Sequence, residues 1–151
     1  MSSDLETGPP PAVGRRLGYL LKHAQQQLAE LAEPLYGPLG VTGRQLALLA
    51  LFGDGPARSQ QDGAARLGID RTTMVALVDE LEAKDLVRRE VAPGDRRKRL
   101  VRLTDEGERV RQAGEEATRE AEALLLAPLG DGAEQLRTAL HRVVRGVVRG
   151  E

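Results

Sequence analysis

The run SQQDGAARLGIDRTTMVALVDELEAKDLVRREVAPGDRRKRLVRLTDEG, Ser59–Gly107, decides how the chain folds. It opens with Ser59 and, three residues on, Asp62, a pairing suited to capping a helix, and it breaks at Gly68 after only two turns. After Ile69, Asp70 is placed to cap a longer helix whose inner face is Met74, Leu77, Val78 and Leu81 and which runs to about Lys84. A short helix, a tight turn containing glycine and a longer helix make the layout of a helix-turn-helix. Leu86–Val91 and Lys98–Leu103 then carry Val and Leu between charges and flank Ala92-Pro93-Gly94-Asp95, the pattern of two strands joined by a turn. A hairpin in that position is a wing. Thr104 caps the next helix, with Asp105 and Glu106 at the positive end of its dipole.

Upstream, Met1–Pro11 ends in three consecutive prolines, so residues 1–12 are expected to form a disordered tail, with order beginning near Val13. Leu17, Leu20, Leu21, Ala24, Leu28, Leu31 and Leu35 recur at helical spacing, predicting a long amphipathic helix that weakens at Pro34 and stops by Gly37-Pro38. Thr42 followed by Gln45 is a capping-box pattern, opening a helix through Leu46, Leu49 and Phe52 that Gly53-Asp54-Gly55-Pro56 terminates. Downstream, the helix capped by Thr104 continues to about Ala127, and Asp131-Gly132 precedes a last one carrying Leu136, Leu140, Val143, Val144, Val147 and Val148 along one side.

The expected fold is mainly α with a small β wing: a winged helix-turn-helix of about six helices with a two- to three-stranded antiparallel hairpin and a helical dimerisation region. A single domain would cover 13–151, with the winged helix at 42–103 and dimerisation helices at 13–36 and 104–149. The capped stretch from Thr42 to Leu103 looks self-sufficient, which leaves the apolar stripes of the terminal helices in need of cover. A twofold homodimer buries them in one step and suits a palindromic DNA site, while the alternative is a closed monomeric bundle.

Composition narrows the functional classes. Of 151 residues only 2% are aromatic, so the core must be built from Leu, Val and Ala, which suits helices packed on helices. The absence of cysteine excludes disulfides, thiolate metal sites and thiol redox sensing. No apolar stretch approaches a membrane span and Met1–Pro11 lacks the features of a signal peptide, so a cytoplasmic protein without membrane contact is expected. His23 and His141 have no metal-spaced partner, there is no phosphate-binding glycine loop or G-x-S-x-G, and no carboxylate pair stands out. Nothing nominates a catalytic residue, a metal or a cofactor, and an enzyme is the weakest reading.

Charge points elsewhere. The net charge is -1, yet Leu86–Leu103 holds seven basic residues against two acidic ones, leaving the rest of the chain acidic. A basic hairpin on an acidic body is a local footprint for a polyanion. Arg96, Arg97, Lys98 and Arg99 crowd a turn kept narrow by Pro93-Gly94, and an arginine on a thin projection can enter the DNA minor groove. Asp95 suits a brace that hydrogen-bonds an arginine. On the longer helix Arg71, Thr72, Thr73, Val75 and Ala76 lie near the N-terminus and outside the apolar stripe, the end that faces the major groove in helix-turn-helix docking. Ser59 and Gln60, opening the shorter helix, complete the candidate DNA contacts.

The quoted stretch resembles the multiple-antibiotic-resistance regulator (MarR) family, through Gly68-Ile69-Asp70-Arg71, Leu81-Glu82, Leu86-Val87-Arg88-Arg89, Asp95-Arg96-Arg97 and Leu103-Thr104-x-x-Gly107. The resemblance implies a winged-helix homodimer, held by its terminal helices, that represses promoters and is often released by a small anionic or aromatic ligand. It places Arg97 in the minor groove with Asp95 as its brace, Arg96 on the DNA backbone, and Arg71, Thr72, Thr73 and Val75 in the major groove. It also implies an effector crevice between the first, second and fifth helices, which nominates Tyr19, His23 and Phe52. The chain departs from the family pattern at Ala76 and Glu80 on the reading helix, at Asp85 where glycine is usual, and at Gly63 where leucine is typical. The expected function is sequence-specific binding of double-stranded DNA by a transcriptional repressor; the alternative is a winged-helix module that recognises another protein.

Overall fold

The computed structural model describes residues 8–148, and the expected tail therefore falls mostly outside the described residues. The elements are α1 (Pro11–Gly14), α2 (Leu17–Tyr36), α3 (Gly43–Gly53), β1 (Arg58–Ser59), α4 (Gln60–Leu67), α5 (Arg71–Ala83), β2 (Val87–Ala92), β3 (Asp95–Leu103), α6 (Asp105–Leu126) and α7 (Ala133–Val148), with single-turn 3-10 segments at Gly37–Leu39 and Ala127–Gly132. Helix begins two residues before the expected start, as the separate turn α1, and the long helix restarts at Leu17 beyond the helix-weakening Gly14. The chain divides into two compact units. One is Ala32–Glu120; the other is formed by the residues up to 31 and from 121 on.

The central unit is a winged helix whose start and stop signals are all local. The capping box at Thr42 has both arms: the Thr42 hydroxyl accepts from the Gln45 amide at 3.2 Å, and the Gln45 side chain accepts from the Thr42 amide at 3.1 Å. Ser59 caps α4 by accepting from the Asp62 amide, and Gly68, at φ 63°, ends it in the left-handed conformation that glycine adopts without strain. Asp70 caps α5 through the Thr73 amide at 2.9 Å. Thr104 caps α6 through the Gly107 amide at 3.0 Å. These fixed ends aim the apolar faces at one core of Leu48, Leu49, Met74, Val78, Leu81, Val87 and Val101, to which the first half of α6 adds Val110.

The sheet is antiparallel with order β1-β3-β2, and Arg58–Ser59 supply its third strand. Val87 faces Leu103 and Arg89 faces Val101, while a register shift between Val91 and Ala92 turns the buried Ala92 back towards the protein. The strands run further to the tip than expected: Ala92 and Asp95 pair, and only Pro93-Gly94 remains as the turn. Gly94 at φ 80° after a proline has the signature of a type II turn, tight enough to let pairing continue to its edge.

The terminal unit contains α1, most of α2, the end of α6 and α7. Leu17, Leu20, Leu21, Val143 and Val144 are exposed there, Leu17 to 67% and Val144 to 64%. Val147 and Val148, expected on the same stripe, lie outside the residues whose side chains are described. No helix of the described residues is long and apolar enough to cross a membrane.

Candidate nucleic-acid interface

The wing and the helix-turn-helix enclose an open groove of about 500 Å³. Ser59, Gln60 and Gln61 line it from α4 and its cap, Arg71 and Met74 from α5, and Asp95, Arg97, Lys98 and Arg99 from β3. The sequence-predicted Ser59, Gln60, Arg71, Asp95, Arg97, Lys98 and Arg99 thus come together. Thr72, Thr73 and Val75 stand on α5, Thr72 exposed and the other two partly buried, and Arg96 is exposed at the tip of the wing. Among the described residues Arg96, Arg97, Lys98 and Arg99 form no ion pair, so their charge is available to an anion.

Other charges of the basic run are spent within the fold. Arg89, largely shielded, donates to Gln60 Oε1 at 2.6 Å and pairs with Asp79 at 2.6 Å and Glu82 at 3.0 Å. One guanidinium of β2 therefore ties the wing to both helices of the helix-turn-helix and offsets part of the negative charge of Asp79 and Glu82 on α5. Arg102 pairs with Glu90 across the hairpin at 2.6 Å. Glu80, the departure on the reading helix, accepts from Gln45 Nε2 at 2.9 Å, while Lys84 donates to Gln45 Oε1 at 2.9 Å and to the Gly40 carbonyl at 2.7 Å. Buried Gln45 is thereby held at both ends, and Glu80 belongs to the scaffold.

Three candidates also have a structural duty, which the sequence disclosed for the capping Ser59 but not for Gln60 or Thr73. The Ser59 hydroxyl accepts its capping bond and Gln60 Oε1 is taken by Arg89. The Thr73 hydroxyl donates to Asp70 Oδ2 at 2.6 Å, and this bond, with the Thr73 amide, holds the Asp70 carboxyl below its ordinary value. Asp95 braces Arg97, but through the backbone: its Oδ1 accepts from the Arg97 amide at 3.0 Å. The carboxylate thus shapes the turn that carries the guanidinium instead of gripping it.

A sequence model described as the MarR family matches residues 39–98. The transcriptional repressor CouR, solved bound to a 23-mer DNA duplex, is 31% identical with a TM-score of 0.80, over 92% of this chain and 96% of that one. The chain belongs to the MarR family. One further relative and a second CouR structure widen the comparison for this MarR-family protein. The HTH-type transcriptional repressor NicR of Pseudomonas putida is 28% identical over 123 residues, 82% of this chain and 78% of NicR. CouR from Rhodococcus jostii RHA1 bound to p-coumaroyl-CoA is 28% identical with a TM-score of 0.76, over 89% of this chain and 95% of that one.

The departures of this MarR-family chain have local explanations. A Cβ on Gly63 would lie 2.8 Å from Phe52 Cζ, so the space of a typical leucine is filled by the Phe52 ring. Asp85 has φ 59°, the conformation for which glycine is usual. Gly107 of the Leu103-Thr104-x-x-Gly107 motif is required by contact: a Cβ there would sit 1.9 Å from the Leu86 carbonyl oxygen.

The three effector candidates fall in different units, Phe52 in the central one and Tyr19 and His23 in the terminal one. Phe52 is buried in the core because Gly63 admits its ring, which removes it from any ligand surface. Tyr19 and His23 lie against each other in the terminal unit, ring centroids 4.0 Å apart and planes tilted by 36°. Instead, the central unit of this MarR-family protein has a cleft of about 460 Å³ floored by Gly43, Ala47, Ala50 and Gly114 and flanked by Tyr36 and Arg111. Tyr36 and Thr118 hydroxyls share a 2.8 Å hydrogen bond at its side. Small residues along one face of a helix were the signal by which the sequence could have disclosed this hollow.

Proposed function

We propose that this protein is a homodimeric transcriptional repressor that binds a palindromic operator through the groove between wing and helix-turn-helix. The observation that carries the reading is the juxtaposition of unpaired Arg97, Lys98 and Arg99 with Arg71 at the N-terminus of α5. Helix α5 enters the major groove with Arg71, Thr72, Thr73 and Val75, and the wing reaches the adjacent minor groove with Arg97, Arg96 lying on the backbone. CouR, solved on a DNA duplex, supports this assignment. The exposed Leu and Val faces of α2 and α7 provide the homodimer contact.

A small anionic or aromatic effector releases the operator, and the cleft beside Tyr36 is its site, being of a volume ordinary for small ligands. The bound p-coumaroyl-CoA of CouR supports a ligand-responsive regulator. The protein acts in the cytoplasm and catalyses no reaction. The protein-interaction alternative drew on the sparse basic groups of α5, but Asp79 and Glu82 share Arg89 and Glu80 is held by Gln45, while Arg71 stays unpaired among the described residues at the groove.

The test is selection of bound duplexes from a random pool, followed by equilibrium titration of the enriched site. An enriched palindrome bound by a dimer is expected. Failure to enrich any sequence would overturn the proposal.

A further inference from the structure

We propose that α5 reads its operator chiefly through thymine methyl groups, with Thr72, Val75 and Ala76 as specificity-determining residues and Arg71 as the one long side chain reading a base by hydrogen bonds. The inference rests on the DNA-reading function above and adds the chemistry of the sequence selected.

Between Arg71 and Ala83 the helix contains no Asn, Gln or Lys and no second Arg. Those are the side chains that make paired hydrogen bonds to guanine or adenine in the major groove. The remaining polar groups are largely committed elsewhere. The Thr73 hydroxyl donates to Asp70, Asp79 and Glu82 are paired with Arg89, and Glu80 accepts from Gln45. Met74, Leu77, Val78 and Leu81 face the core. Thr72, Val75 and Ala76, three and four residues apart, form one stripe on the outer side, Thr72 and Ala76 exposed and Val75 half-buried.

That stripe is a row of methyl groups. The C5 methyl of thymine is the apolar group that a base pair presents in the major groove, so it is the feature this surface can recognise by removing both from water. Each buried methyl contributes about a fourfold gain in affinity, which makes a few thymines per half-site a workable code. Only Thr72 retains an uncommitted hydroxyl on the stripe, and it can bond whichever base edge the methyl contacts leave beside it.

The experiment uses the full chain and the palindrome enriched from the random pool. Each half-site thymine is replaced in turn by deoxyuridine, which removes only the methyl, and each half-site purine by its 7-deaza analogue, which removes the N7 acceptor. Uracil is expected to weaken binding about fourfold at two or more positions per half-site, whereas 7-deazapurine weakens it at one position, that of Arg71. Val75→Ala is expected to abolish the penalty at one of the uracil positions. Uracil tolerated at every half-site thymine would overturn the inference, whatever the 7-deazapurines do. A pool from which no sequence is enriched would instead remove the DNA-reading function, and this inference with it.

Discussion

At the residue scale the proposed DNA binding turns on the tip of the wing. Arg97 has no acidic partner among the described residues and its backbone is fixed by Asp95, so its guanidinium is free for an anion without an ion pair having to be broken. Arg97→Ala is expected to weaken operator binding by on the order of tenfold, as an arginine lost from the minor groove should, while sedimentation shows the same dimer. Two glycine positions test the packing. Gly107→Ala drives a Cβ into the Leu86 carbonyl and should cost roughly 3 kcal/mol in denaturant unfolding. Asp85→Gly relieves a left-handed aspartate and should stabilise by about 1 kcal/mol; destabilisation would show that the Asp85 side chain makes a contact of its own. Motif residues such as Gly107 were readable as a pattern, but the reason for the glycine lies 21 positions away in sequence, at Leu86.

At the element scale, what was legible followed how far a residue's partners lie along the chain. Thr42, Ser59, Asp70 and Thr104 cap helices through amides three residues on, so their roles could be read directly. Arg89 could not: counted as part of the basic footprint, it is consumed by Asp79, Glu82 and Gln60 once β2 lies beside the helix-turn-helix. Phe52 was misplaced for the same reason, since nothing near it in sequence reveals the hollow at Gly63. If Arg89 holds wing and reading helix in register, Arg89→Gln should lower operator affinity more than it lowers stability. Because both carboxylates are more than a third exposed, the stability loss should stay near about 1 kcal/mol. On helix α6, Glu108 is a group whose protonation should weaken the fold in acid. Hydrogen bonds from Arg111 outweigh burial and bring the Glu108 carboxyl from its ordinary 4.5 to about 2. A carboxylate depressed in the folded state stabilises fully above its unfolded value, and that contribution disappears as pH falls from about 4.5 through about 2. Unfolding midpoints should therefore drop over that window, and Glu108→Gln should flatten the drop.

At the scale of the whole molecule, the core is mostly Leu, Val and Ala, joined by Met74 and Phe52, and further Leu and Val side chains stand exposed on the terminal unit. The proposed dimer would bury them, so Leu140→Glu with Val143→Glu should yield monomers in sedimentation and lose most operator affinity, since a single reading head engages one half-site. Cations of the groove that lie on phosphates and in a groove of DNA must release counterions when they bind, so affinity has to depend on salt. Titration of the selected palindrome between 50 and 200 mM salt should show affinity falling by roughly a thousandfold or more, as for six or more released counterions. An affinity that stays level across that range would contradict the account.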